Sequence, residues 1–182
     1  MKTRDFLEQS WVKEEIIRRL DYNPDTGKLT WADRDCPYFD KSKVGLDVGY
    51  VSNTRNYDEN TLLLEVGGRR IKIVVARLCW LVYTGNWPSY TVDHIDRNSL
   101  NNKWQNLRDI KQSDNNKNKS PYRCKIFKGA YRAGSGWRVL VVSGGKSHWV
   151  GSYKCLGKAL KAYDAKAKEL HGEYARLNLP KT

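Results

Sequence analysis

No apolar run in this 182-residue chain approaches the roughly 20 residues that a membrane-spanning helix needs. The opening MKTRDFLEQSWVKEE is too charged for a secretory signal. The expectation is a soluble, cytoplasmic protein with no membrane partner. Cysteine is scarce: Cys36, Cys79, Cys124 and Cys155 are the four, and none sits in a C-x₂-C pair. That argues against a structural zinc site and against a disulfide framework. Cys79 lies inside an apolar run and reads as a small core residue. Histidine is scarcer still, with three residues. His148 and His171 have no metal-ligand neighbours in sequence and read as structural. Acidic residues are in deficit, 20 against 33 Lys and Arg, for a net charge of +13.

That charge is unevenly spread. Residues 1–60 hold 10 basic and 12 acidic residues, 61–119 hold 10 and 5, and 120–182 hold 13 and 3. An excess confined to the C-terminal two thirds fits a surface that follows a phosphate backbone. With 40% hydrophobic and 12% aromatic residues, the chain can build a packed core. Its length suits one ordinary domain or two or three small ones.

The apolar positions Phe6, Leu7, Trp11, Ile16, Ile17 and Leu20 follow helical spacing over residues 6–20. Leu20 to Trp31 reads as two short strands about a Pro-Asp-x-Gly turn. Residues 32–47 read as a loop. Leu62–Val66 and Arg70–Val74 flank Gly67-Gly68, a hairpin signal. Arg69, Arg70 and Lys72 fall near its turn and on the outward side of its second arm, where they could lie in a DNA groove. Residues 75–83, VARLCWLVY, predict an apolar helix ending at Thr84-Gly85.

The centre of the chain is YTVDHIDRNSLNNKWQNLRDIKQSDNNKN, residues 90–118. A short β-favouring run ends on Asp93-His94. An Asn-rich loop follows, and then Asn106 to Ile110 alternates polar and apolar as a half-buried strand does. Ser113 is a candidate N-cap for a short polar helix carrying Asn115. Eleven residues separate His94 from Asn106, and eight separate Asn106 from Asn115. The order and spacing resemble the HNH nuclease motif in the variant whose third member is Asn. That resemblance implies a ββα core gripping one divalent ion. It implies that His94 is the general base, that Asp93 and Asn115 are metal ligands, and that Asn106 holds the loop so that the His94 ring points correctly. The residue types suit the chemistry independently. Phosphodiester hydrolysis needs a base that titrates near neutrality. A carboxylate and an amide oxygen are hard ligands, suited to Mg²⁺ or Mn²⁺.

Residues 117–126 are basic, with Lys117, Lys119 and Arg123, and read as a linker along the phosphate backbone. From 127 to 182 three strand-like runs precede a helix over 157–171. Ala159, Ala162, Tyr163, Ala167 and Leu170 share one face of that helix. The segment resembles the DNA-binding domain of plant ethylene-response factors, the APETALA type. The likeness rests on Lys128-Gly129, Trp149-x-Gly151, Ala162-Tyr163-Asp164, and the ending His171-Gly172…Ala175-Arg176-Leu177-Asn178-Leu179-Pro180. It implies that an exposed sheet face enters the major groove, with Arg138 and Trp149 on it and Tyr131, Arg132 and Lys146 near it. Leu140, Val142 and Ser147 stand where the plant proteins carry charged contacts, so the plant target is not implied.

The expected fold is α+β. A ββα nuclease core with an N-terminal helix and strands occupies residues 1–116, a linker 117–126, and a three-stranded antiparallel sheet on one helix 127–182. The expected function is metal-dependent, site-specific hydrolysis of double-stranded DNA. It is of the homing type, similar to bacteriophage enzymes acting in the host cytoplasm. The chain would act as a monomer with no obligate protein partner, nicking one strand. The alternative is a DNA-binding protein or regulator with an inactive nuclease core.

Overall fold

The computed structural model describes residues 2–32, 41–54, 57–118 and 127–180. Cys36, Lys119, Arg123 and Cys124 lie outside them. The chain divides into two compact units, Met1–Ile110 and Lys111–Thr182, each with its own apolar core.

The first unit opens with α1 (Thr3–Leu7) and α2 (Ser10–Arg18). The single helix expected over 6–20 is broken at Glu8-Gln9. At about 100° per residue, Phe6 and Trp11 would diverge on one continuous helix. The break lets their rings meet edge-on at 5.6 Å. Val12 and Ile16 are fully buried, whereas Trp11 is exposed. β1 (Leu20–Asn23) and β2 (Lys28–Trp31) form the expected hairpin, its turn fixed by Asn23 Oδ1, which accepts from the N–H groups of Asp25 and Thr26.

β3 (Tyr50–Thr54), β4 (Tyr57–Val66) and β5 (Arg69–Val74) make an antiparallel sheet. The β4–β5 hairpin falls where its sequence signal places it. β3 had no legible signal, because YVSNT lies among polar residues. Leu62, Leu64, Ile71 and Ile73 face the core, leaving Leu63 and Lys72 paired on the other side. α3 (Val75–Thr84) buries Val75, Ala76, Leu78, Cys79 and Leu81. Gly85 ends it in the left-handed conformation at φ 75°. Burial pushes the Cys79 thiol up to about 12, so it stays protonated. β6 (Thr91–His94) pairs antiparallel with β7 (Leu107–Ile110).

The second unit begins with α4 (Gln112–Asn118). Ser113 is therefore not its N-cap but lies within its first turn, and the Lys111 carbonyl accepts from the N–H groups of Asp114 and Asn115. The Lys128 ammonium donates to the Lys117 carbonyl in the last turn of α4. That contact falls at the helix end where a positive charge is favoured. The unit boundary thus falls before α4, whereas the sequence places a linker after residue 116.

β8 (Ala130–Ala133), β9 (Gly136–Ser143) and β10 (Lys146–Tyr153) form an antiparallel sheet with β9 central. α5 (Leu156–His171) covers one face with Ala159, Tyr163 and Ala167 packed on Val139 and Val141. Asp164 accepts backbone N–H bonds from Asn178 and Leu179 at 2.8 and 2.9 Å, and so ties down the closing segment.

Candidate active site

The β6–β7 pair carries Asp93 and His94. Asp109 Oδ2 and Oδ1 accept from the N–H groups of Ser89 and Tyr90 at 2.7 and 2.9 Å, which steers the chain into β6. The register sets Asp93 opposite Arg108 and His94 opposite Leu107. Neighbours on a strand point to opposite faces. Accordingly the Asp93 carboxylate and the His94 ring find different partners. Asp93 Oδ2 accepts from Arg108 Nε at 2.9 Å and Nη2 at 2.7 Å. The Asp93 side chain is 12% exposed. His94 Nε2 lies 3.0 Å from Asn102 Oδ1.

Between the strands, residues 95–106 fold on themselves without regular pairing. Asn106, 9% exposed, is the hub. Its Oδ1 accepts from Asp96 N–H at 2.9 Å, and its Nδ2 donates to Asp96 Oδ1 at 2.9 Å and to the Asn101 carbonyl at 2.7 Å. Its backbone carbonyl accepts from Ile95 N–H at 2.9 Å. Asn101 Nδ2 donates to Asp96 Oδ2 at 2.6 Å. Burial tends to raise the Asp96 carboxyl. The donors of Asn98, Asn101 and Asn106, with His94 nearby, outweigh it and hold the group below the usual carboxylate range. Arg97 turns the loop at φ 67°, a conformation uncommon outside glycine.

The structure thus brings Asp93, His94 and Asn106 together around one loop of the first unit. Asn115 and Lys117 lie on α4 of the second unit, with Lys117 Nζ 2.6 Å from Asp114 Oδ1. Two residues of the site were not picked out from sequence: Arg108, which engages Asp93, and Asn102, which engages His94. Arg108 was findable from the antiparallel register, since a strand ending at His94 and one starting at Leu107 place 93 beside 108. Asn102 carried no signal that separates it from the other asparagines of the loop.

Residues 74–117 match the HNH endonuclease family. The chain contains an HNH domain. The matched segment runs from the last residue of β5 to α4 and includes Asp93, His94, Asn106 and Asn115. The chain is also similar to an uncharacterized HNH endonuclease of Acanthamoeba polyphaga mimivirus, 36% identical over 100 residues. The likeness covers 54% of this chain and 52% of that protein, so the chain spans about half the length of its relative. No solved structure matches.

HNH nucleases typically use a divalent metal. The donors in this HNH domain fit a hard divalent ion that keeps much of its water. Asp93 offers a carboxylate already held in place by a guanidinium, an arrangement that orients a ligand. Among the described residues no three His, Cys, Asp or Glu side chains cluster into a ready-made cage.

The residues expected on DNA are distributed as follows. Arg69 stacks over the Phe6 ring, with its guanidinium carbon 4.9 Å from the centroid. Arg70 pairs with Glu65 at 3.2 Å, and Lys72 lies 5.7 Å from the Tyr50 ring centroid. In the second unit, register sets Tyr131 opposite Arg138 and Leu140 opposite Trp149, on the sheet face away from α5. Trp149 is 57% exposed there and Val142 58%. Arg132 is on the opposite face, stacked over Trp137 at 5.5 Å. By strand alternation Lys146 also points to that opposite face.

Proposed function

We propose that the chain is a metal-dependent DNA endonuclease that hydrolyses phosphodiester bonds, with His94 as its general base. The observation that carries this reading is the Asp93-His94 pair at the end of β6, set in a segment that matches the HNH family. Its imidazole is held at Nε2 by Asn102. The water oxygen attacks phosphorus, its proton passes to His94, and the bond from phosphorus to the leaving sugar oxygen breaks. A bound Mg²⁺ or Mn²⁺ supplies charge stabilisation on the phosphate and leaving oxygens. Asp93 is the carboxylate ligand, and on motif spacing Asn115 is the amide ligand. Asn106 keeps the loop in one shape beside the base.

The second unit is the proposed DNA-holding module. Beyond α4, its three strands with α5 across one face are the arrangement that the likeness to the ethylene-response-factor domain implies, with Tyr131, Arg138 and Trp149 on the open sheet face. Arg132, Lys146 and Lys117, with Lys119 and Arg123, supply phosphate contacts. Arg69, Arg70 and Lys72 extend the basic surface on the first unit. One base and one metal site act on one strand at a time, so the first product at a site is a nick. Homing-type action and phage origin rest on sequence likeness alone.

The test is incubation with bacterial genomic DNA, with and without Mg²⁺ or Mn²⁺, followed by sequencing of the ends. Metal-dependent ends at recurrent positions are expected, and His94→Ala should lower cutting about 10²–10⁴-fold. Bound but uncut DNA under every metal would establish the regulator reading instead. On a supercoiled plasmid bearing one recovered site, nicked circles should precede linear DNA. Direct conversion to linear DNA would refute the nick.

A further inference from the structure

We infer that Asn102 is a positioning residue for His94, and that the β1–β2 hairpin, outside the HNH match, latches it in place. The inference rests on the reading of His94 as the base. Asn102 Oδ1 can only accept a hydrogen bond. At 3.0 Å from His94 Nε2 it fixes the ring proton on that nitrogen. The lone pair is then on Nδ1, and that atom takes the proton from water. An imidazole with the wrong tautomer, or free to rotate, presents no base to the phosphate.

Asn102 is held unusually firmly for a loop residue. It is 4% exposed. Its carbonyl accepts from the Tyr22 hydroxyl at 2.6 Å, and burial pushes that phenol up, so the O–H remains a donor. Trp104 N–H donates to the Pro24 carbonyl at 2.9 Å. At Gly27, φ 75°, a Cβ would stand 2.5 Å from Lys103 N and 2.7 Å from the Asn102 carbonyl carbon. The hairpin turn therefore lies directly on the 102–103 peptide, at a separation only glycine permits. Beneath it the Trp104 ring packs on Trp80 and Tyr83 at 4.8 and 4.2 Å, and Tyr22 meets Tyr83 edge-on at 6.2 Å. In the outer part of the loop Ile95 and Leu100 are exposed, and the Ser99 hydroxyl donates to the Asp58 carbonyl. Residues 102–104 are thus fixed to a hairpin some 80 positions earlier in sequence, where the demand on them is to keep one amide oxygen against one ring nitrogen.

The test uses the full chain and four variants: Asn102→Leu, Asn102→Asp, Tyr22→Phe and His94→Ala. Single-turnover cleavage, DNA affinity and thermal melting are measured for each. Asn102→Leu keeps the volume and removes the acceptor. It should slow cleavage about 10²-fold, the effect of misplacing a reacting group by about an ångström, with DNA affinity unchanged. Asn102→Asp restores an acceptor oxygen and should recover cleavage to within about tenfold of the parent. Tyr22→Phe should fall between them. The protein has three histidines, so ring nitrogen NMR at about pH 8.5, above the ordinary histidine range, resolves each. The parent His94 should carry its proton on Nε2 alone. If Asn102→Leu does not fold, Tyr22→Phe and the parent spectrum decide. Equal losses in the Leu and Asp variants would make Asn102 merely structural and overturn the inference. So would parent-like cleavage in Asn102→Leu, or a parent ring averaging between its two tautomers. Parent-like cleavage by His94→Ala would remove the base reading itself, and this inference with it.

Discussion

Asn106 offers a test in which two effects oppose each other. Its amide makes three hydrogen bonds, to Asp96 N–H, Asp96 Oδ1 and the Asn101 carbonyl. Asn106→Ala removes all three and strands groups that are mostly shielded from water. Each such group costs about 1–3 kcal/mol, and partial hydration at the loop surface brings the sum to about 2–4 kcal/mol. That is a large share of the roughly 5–15 kcal/mol that holds a domain folded. At about 4–8 °C per kcal/mol for a domain of this size, the melting temperature should fall by about 8–32 °C. Asn106→Asp keeps the acceptor for Asp96 N–H, which favours it over Ala. It also sets a second carboxylate where the amide donated, 2.9 Å from Asp96 Oδ1. Two like charges near 4 Å repel by about 4 kcal/mol at an effective dielectric of 20. Neutralising one by proton uptake at pH 7 costs a similar amount, about 1.4 kcal/mol for each pH unit above the ordinary carboxylate range. Charge therefore outweighs the retained bond. At pH 7.5 the Asp variant should melt below the Ala variant. Sharing a proton raises the pair's titration in the folded state, so the penalty builds as pH rises and fades as pH falls toward about 4. The order should reverse at pH 4.5. Circular dichroism melts of both variants at each pH decide it. An Asp variant more stable than Ala at pH 7.5 would refute the account of this loop.

Three further outcomes are expected. Asp93→Ala should raise the Mg²⁺ concentration needed for cleavage or abolish cutting, and an unchanged Mg²⁺ titration would move the metal site elsewhere. Burial, against the bond to the Val142 carbonyl at 2.9 Å, lowers the pKa of His171. The unfolded chain therefore takes up a proton first. Stability should be intact above about pH 6.5 and decline as pH falls below it, and His171→Phe should flatten that slope in melts at stepped pH. Gly27→Ala should be far more destabilising than Gly85→Ala. Both have φ 75°, but the Gly85 Cβ meets nothing within 4 Å whereas the Gly27 Cβ meets the 102–103 backbone. Equal melting temperatures would sink the latch geometry.

The sequence by itself determined the local elements and the motif. Gly67-Gly68 between alternating apolar runs fixed the β4–β5 hairpin, because both positions need positive φ and few residues tolerate it. Gly85 ended α3 for the same reason. The order Asp93-His94, Asn106, Asn115 was legible because its residue types recur at motif spacing across strand, loop, strand and helix. What only the tertiary structure decided was which polar groups meet. The loop from Asp96 to Asn106 contains Asn98, Asn101, Asn102 and Asn106, and nothing local ranks them. Long-range contact ranks them: Asn106 becomes the hub by sitting where β7 begins, and Asn102 is turned onto His94 by the Tyr22 hydroxyl and the Gly27 turn. The break between α1 and α2 was hidden for the same reason, since it serves a Phe6–Trp11 contact that periodicity does not encode. Arg132 likewise reads as a surface cation, and only strand register puts it over Trp137 instead of beside Arg138. Periodicity records which side of an element is apolar. It does not record which distant element comes to lie on that side, and the partners of Asp93 and His94 depend on that choice.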